Sequence, residues 1–152
     1  MRAGTENLVG IVGIGSAASF RTTNLDAATK HMASLRDRFE ANVLATCDDV
    51  TVNGGPNRVC NTTNLRFAGV DGEALVARLD QQGVQCSQSS ACTNHRPEPS
   101  YVLREMGLSE VEAYESVRFG LSILNTEAEA DRAVDLIAKL VTNIRAFNVA
   151  AS

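Results

Sequence analysis

VLATCDDVTVNGGPNRVCNTTNLRF, residues 43–67, sets two β-favouring runs on either side of a turn cluster. Val43 to Val52 and Cys60 to Phe67 have strand character, and Asn53-Gly54-Gly55-Pro56-Asn57 between them is a cluster of turn-forming residues. Two extended runs joined by such a turn predict an antiparallel pair. Everything outside the pair reads mainly as helix. Upstream, Leu8, Val9, Ile11, Val12, Ile14, Ala17, Ala18 and Phe20 make a helix that is apolar nearly all round, and such a surface needs cover. Thr22, Thr23 and Asn24 read as an interruption, with Asn24 capping a second, amphipathic run through Ala28, Met32, Leu35 and Phe39.

Downstream, Asp71 caps a helix carrying Leu75, Val76 and Leu79 and ending at Gly83, and Val84 to Ser87 predicts a further short strand. Tyr101, Val102 and Met106 begin a short helix that Gly107 stops. Ser109 with Glu112 forms a capping box, Ser116 to Leu124 reads as a strand, and Thr126 with Glu129 forms a second box. Behind it Ala130, Ala133, Val134, Ile137, Leu140, Val141, Ile144 and Phe147 trace one face of a long closing helix. The predicted class is α+β: a small, mainly antiparallel sheet covered by helices, with an N-terminal helical segment over residues 1–40 and a small domain over residues 41–152.

The composition suits this. A chain of 152 residues, 44% hydrophobic and 21% charged, can bury a proper core, and with aromatics at 5% that core must be built from aliphatic side chains and alanine. A net charge of −4 without a Lys/Arg cluster argues against nucleic acid as a partner. The apolar run near the N-terminus is broken by Gly10, Gly13 and Gly15 and falls short of the ~20 residues that span a bilayer, so neither a membrane segment nor a membrane partner is expected. Four cysteines are too few for a disulfide scaffold; reduced thiols and a cytoplasmic location are expected.

Chemistry concentrates in CSQSSACTNHRPEPSYVLR, residues 86–104. The small polar residues on either side of Cys92 have no helical or strand period, which predicts a surface loop. A thiol there can act as a thiolate nucleophile, though the spacing alone favours a surface cysteine without a role. His95, three residues on, reads as a solvated loop histidine. A zinc site is disfavoured, because five residues separate Cys86 from Cys92 and twelve separate Cys47 from Cys60, outside the usual pairing distance of zinc ligands; no metal is expected. Cys47 and Cys60 read as small buried side chains. Arg118 sits inside the apolar run Val117-Arg118-Phe119 and either meets an anion or faces solvent with its neighbours turned the other way. Gly13-Ile14-Gly15-Ser16-Ala17-Ala18 fits a dinucleotide fingerprint in letters only, since the run after it is helical where a second strand would be needed.

Four separated words carry a family resemblance. Met1-Arg2-Ala3-Gly4-Thr5-Glu6-Asn7, the run from Asn61 to Glu73, Ser90-Ala91-Cys92-Thr93 with its following EPSYVLR, and SVRFGLSILNTEAEAD from Ser116 keep one order across nearly the whole chain. Together they resemble the NifS/IscS-type cysteine desulfurases, pyridoxal-phosphate enzymes of the class V aminotransferase family. The resemblance implies the C-terminal small domain of a fold-type I enzyme, with Cys92 as the persulfide-forming nucleophile. It implies that Arg118 binds the carboxylate of L-cysteine, and that Thr5 reaches the cofactor phosphate of the other subunit of a homodimer. The products would be alanine and an enzyme persulfide, with the sulfur passed to a scaffold or acceptor protein for iron-sulfur clusters or other sulfur-transfer pathways.

The family's cofactor lysine lies in an S-x-H-K word, and neither Lys30 nor Lys139 is preceded by it. The cofactor-binding large domain is therefore expected to be absent from this chain, and the chain alone to be inactive. The alternative is a stand-alone sulfur-carrier or interaction domain without a cofactor. Ser89, where the family often has glycine, and Asn94-His95-Arg96-Pro97 depart from the pattern without touching Cys92 or Arg118.

Overall fold

The hairpin forms as the turn cluster requires. In the computed structural model, which describes residues 4–88 and 99–150, β1 (Val50–Val52) pairs antiparallel with β2 (Thr62–Phe67), Val50 opposite Phe67 and Val52 opposite Leu65. On its other edge β2 pairs antiparallel with β3 (Ser116–Gly120), giving one three-stranded sheet in the order β1-β2-β3. The helices are α1 (Leu8–Thr46), α2 (Gly72–Gln81), α3 (Tyr101–Glu105), α4 (Glu110–Tyr114) and α5 (Glu127–Ala150). The α+β class is as expected.

Strand alternation fixes which face is core. Thr63, Leu65 and Phe67 of β2 and Val117 and Phe119 of β3 are buried, and their neighbours along each strand are turned to the opposite face. Against that buried face pack Leu35, Phe39 and Val43 of α1, Leu75 and Leu79 of α2, and Val134, Ile137 and Val141 of α5. Phe39 and Phe119 meet with ring centroids 5.1 Å apart at 55°. The core is otherwise aliphatic, as the composition dictates.

The N-terminal helix differs from the sequence reading. Thr22, Thr23 and Asn24 do not interrupt it; α1 is one helix of 39 residues, about 58 Å long at 1.5 Å per residue. The three side chains bond within the helix instead: Thr22 Oγ1 donates to Ala18 O at 2.9 Å, Thr23 Oγ1 to Ser19 O at 3.0 Å and Asn24 Nδ2 to Phe20 O at 2.8 Å. Each is thereby satisfied without turning the chain. Only the C-terminal half buries a stripe, from Ala28 to Val43, while Leu8, Val9, Ile11, Val12 and Ile14 stay exposed.

The strand expected from Val43 is also shorter. Val43 falls one helical turn beyond Phe39 and is fully buried, so the apolar stripe carries α1 on to Thr46. Cys47 then caps the helix with its N–H on Val43 O, and Asp49, in the left-handed region at φ 53°, turns the chain into β1. The strand expected over 84–87 reduces to one bridge between Ser87 and Arg118. β3 ends at Gly120, because Ser122 to Asn125 fold into a turn in which Asn125 Oδ1 accepts from Ser122 N at 2.8 Å.

The three caps predicted downstream of the hairpin are in place. Asp71 Oδ1 accepts from Glu73 N at 2.9 Å and Ala74 N at 3.2 Å, and both capping boxes close, Ser109 with Glu112 and Thr126 with Glu129. On α5 the traced face is buried through Ile144, but Leu140 is only half-buried and Phe147 is exposed.

One buried ion pair ties α1 to the hairpin turn. Glu40 forks onto Arg58, Nη1 to Oε1 at 2.5 Å and Nη2 to Oε2 at 2.9 Å. Burial pushes the Glu40 carboxyl up, but the Arg58 hydrogen bonds and charge outweigh it and hold it below the usual range. A carboxylate whose folded pKa is depressed adds stability above its unfolded value, about 4.3, and loses it as pH falls through the folded value. Denaturant unfolding of the wild type and Glu40→Gln should therefore show a stability gap that is full at neutral pH and closes below about pH 4.3. A gap independent of pH would count against the pair.

Candidate functional site

Arg118 stands where strand alternation puts it, outward between the buried Val117 and Phe119. Its main chain exchanges both hydrogen bonds with Ser87: Arg118 N donates to Ser87 O at 2.6 Å and Ser87 N to Arg118 O at 3.0 Å. Its partner on the other side is Asn64 of β2, and that pair is therefore of the non-hydrogen-bonded kind, in which side chains on one face stand closest. Asn64 O in turn accepts from Asn53 N at 2.8 Å. Ser87, Arg118, Asn64 and Asn53 thus form one polar row across the sheet, on the face away from the core.

The short helices α3 and α4 cover part of this face. Ser116 Oγ donates to Glu112 O at 2.6 Å, and Gln88 Nε2 to Tyr114 O at 2.9 Å. Gly72, at the start of α2, permits this approach: a Cβ there would lie 2.9 Å from Gln88 Cγ and would strike the Tyr114 carbonyl. Between the polar row and α3 lies an open pocket of about 220 Å³ lined by Asn53, Asn64, Gln88, Ser100 and Arg118 on its polar side and by Val102, Leu103 and Met106 on its apolar side.

Charge separates the two arginines of this face. Arg66 is neutralised, Nη1 on Glu112 Oε1 at 2.6 Å and Nε on Glu115 Oε2 at 2.8 Å. Arg118 is exposed and has no side-chain hydrogen bond or ion pair among the described residues. An uncompensated, planar guanidinium at the rim of a small pocket can take a carboxylate through two parallel bonds.

Thr5, the other predicted site residue among those described, is not brought to it. Thr5 is exposed ahead of α1. It does not cap that helix, since Asn7 Oδ1 accepts from Gly10 N at 3.0 Å. The helical rise alone puts about 30 Å between Leu8 and Ala28, the first core residue of α1. Cys92 and His95 lie outside the described residues. Of the other thiols, burial raises Cys47, and burial followed by the nearby Asp80 pushes Cys86 up to about 11, so both are protonated and poorly nucleophilic at neutral pH. Cys47 is buried as expected, whereas Cys60 is only half-buried.

Among the described residues no group of three His, Cys, Asp or Glu side chains could hold a metal ion, and no helix is long and apolar enough to cross a membrane. The dinucleotide-like letters from Gly13 to Ala18 lie inside α1, with no strand before them among the described residues. A second volume of about 400 Å³, between Phe39, Phe119, Gln85 and Glu129, lies on the core side of the sheet and is lined by none of the predicted site residues.

Sequence reasoning missed Asn53, Asn64 and Ser116 as parts of the site. Asn53 was read only as a turn former, yet once Arg118 is taken as outward, antiparallel alternation turns Asn64 and Asn53 to the same side.

Comparison with known proteins bears on this geometry. The family profile of aminotransferase class V matches residues 1–133. A cysteine desulfurase of Nostoc sp. (strain PCC 7120) is 43% identical over 148 residues, 97% of this chain and 37% of that protein. One from Gluconacetobacter diazotrophicus is 37% identical over 145 residues, 95% of this chain and 36% of that protein. The chain thus spans little more than a third of the length of the curated relatives it matches. Among solved structures, a NifS-like protein superimposes with a TM-score of 0.78 at 26% identity, over 93% of this chain and 35% of that one. Another, from Rickettsia africae, does so with 0.76 at 27%, over 94% and 37%.

Proposed function

The chain belongs to the class-V aminotransferase family, and from that premise we propose that it is the C-terminal part of a pyridoxal-phosphate-dependent cysteine desulfurase. In this reading residues 1–40 connect to a cofactor-binding domain carried elsewhere, and residues 41–152 are the small domain that orients L-cysteine and accepts its sulfur. The complete enzyme would be a cytoplasmic homodimer that hands the sulfur to an acceptor or scaffold protein, as for iron-sulfur cluster assembly.

The observation that carries the reading is the Arg118 guanidinium, which has no side-chain partner among the described residues and whose main chain pairs with Ser87, five positions before Cys92 in the sequence. Arg118 would fork onto the substrate carboxylate and fix the amino acid by the end that does not react. The Cys92 thiolate would attack the substrate sulfur. An S–S bond forms as the Cβ–S bond breaks, the electron pair passes to the substrate carbon, and protonation of that carbon yields alanine.

The residues present fit a substrate carboxylate and not the cofactor's aldehyde. Lys30 and Lys139, the two lysines of the chain, are exposed on α1 and α5, which pack on the core face, away from Arg118. Pyridoxal phosphate, which supplies an electron sink when bound, would thus be held by the rest of the enzyme. Thr5 is proposed as its phosphate contact across the dimer on the resemblance alone.

Intact mass spectrometry tests the proposal. The chain mixed with a cofactor-bearing large domain and L-cysteine should gain one sulfur atom, and should gain none from L-cysteine alone. Gain from a persulfide donor with no response to the large domain would replace this reading with that of a sulfur carrier.

A further inference from the structure

A directional hydrogen-bond relay runs from Glu112 through Ser116 and Asn53 to the side-chain amide of Asn64. The Glu112 carbonyl can only accept, so the Ser116 hydroxyl proton is committed to it at 2.6 Å. Ser116 Oγ, 2.9 Å from the Asn53 amide, must therefore accept, and Asn53 must present its Nδ2. The second Asn53 proton goes to Asn64 Oδ1 at 2.6 Å. That turns the oxygen of Asn64 toward β1 and its NH2 toward β3, where Arg118 is the cross-strand neighbour on the same face. Asn64 Nδ2 donates to nothing among the described residues, and both Asn64 and Arg118 line the 220 Å³ pocket. Two adjacent strands thus offer an oriented neutral donor beside a cation that has no side-chain partner among the described residues, at the close spacing of a non-hydrogen-bonded pair.

We propose that Asn64 is the second donor of the carboxylate seat, binding the substrate's carboxylate together with Arg118, and that Asn53 is a positioning residue that keeps the Asn64 amide in its donating orientation. The inference rests on the reading of Arg118 as the carboxylate arginine. It adds what a lone arginine lacks: a neutral donor at a fixed side of the guanidinium, which sets the plane in which the carboxylate lies and so the direction in which the amino acid's sulfur points. The seat selects a free α-carboxylate over an amide or ester, because only the carboxylate offers a charged acceptor oxygen to each of the two donors, whereas an amide must set its NH2 against either Asn64 or Arg118 and an ester offers one good acceptor.

The test is desulfuration kinetics of the chain assembled with a cofactor-bearing large domain. Asn64→Asp keeps the shape but replaces the donor with a second anion that pairs with Arg118; KM for L-cysteine should rise at least about tenfold, the weight of one hydrogen bond to a charged group, with kcat changed less. Asn53→Ala frees the Asn64 amide to turn, and should raise KM by about threefold without touching substrate. Asn53→Ser, which can still donate to Asn64 Oδ1, should recover part of that loss, a rescue that a merely structural role would not produce.

In a second readout on the 15N-labelled chain, L-alanine but not alaninamide should shift the Asn64 side-chain NH2 signals together with Arg118 Nε. An Asn64 signal that stays still while Arg118 moves, or an unchanged KM in Asn64→Asp where Arg118→Ala raises it, overturns the proposal and leaves Arg118 in its role. An unsubstituted assembly that makes no persulfide overturns the desulfurase reading first, and this inference with it.

Discussion

Cys92→Ser should abolish persulfide formation in the assembled enzyme, with no gain of sulfur on the chain by intact mass and no change in its unfolding midpoint. A serine hydroxyl does not ionise near neutral pH and cannot attack sulfur as a thiolate does. The neighbouring thiols cannot take over. Cys86, raised to about 11 by burial and by Asp80, is a thiolate in only about one molecule in ten thousand at pH 7. Cys47 is buried in the hydrophobic core, and burial raises it as well. A residue in a run of serine, threonine and asparagine contributes little to a hydrophobic core, so the near-isosteric swap should leave stability within about 0.5 kcal/mol. Sulfur still appearing on the Cys92→Ser chain would remove Cys92 from the chemistry; a collapse of the fold would mean that the residue is structural.

How far the fold was legible depends on the range of the forces involved. The caps at Asp71, Ser109 and Thr126 were readable because each is a contact between residues two or three apart. The alternation that puts Arg118 outward was readable because a strand has period two. The reading failed at Thr22 to Asn24, where the same side chains that can cap a helix can also bond back four residues within it, and only the continuing stripe to Val43 decides which occurs. It failed at Val43 for the reverse reason. A β-branched residue was assigned by propensity, and burial against the sheet overrode that preference.

The site was legible residue by residue but not as a constellation. Arg118 and Asn64 are 54 positions apart, and Asn53 and Ser116 are 63 apart; only strand register brings each pair together on one face of the sheet. The pairing of Arg66 with Glu112 and Glu115, which leaves Arg118 as the cation with no partner on that face among the described residues, likewise has no trace in local sequence. The resemblance pointed to Arg118 as the carboxylate residue. The geometry adds why this arginine and not Arg66 is available.

Arg118→Ala should then raise KM for L-cysteine by about a hundredfold while changing kcat far less. A fork onto a carboxylate makes two charge-assisted hydrogen bonds, and hydrogen bonds to charged groups are worth about 1.5–3 kcal/mol. Nearly 3 kcal/mol is about two factors of ten in binding. The carboxylate does not change charge as the Cβ–S bond breaks, so the same contact holds ground state and transition state alike; such uniform binding appears in KM and leaves kcat nearly intact. Arg118→Lys separates charge from geometry, because an ammonium keeps the attraction but not the planar fork, and it should recover only part of the loss. The fold should not register either change, since the Arg118 side chain is exposed and makes no hydrogen bond or ion pair among the described residues. If Arg118→Ala leaves KM where it was, the open face of the sheet does not seat the carboxylate, and the cation at its centre must serve an anion other than the substrate.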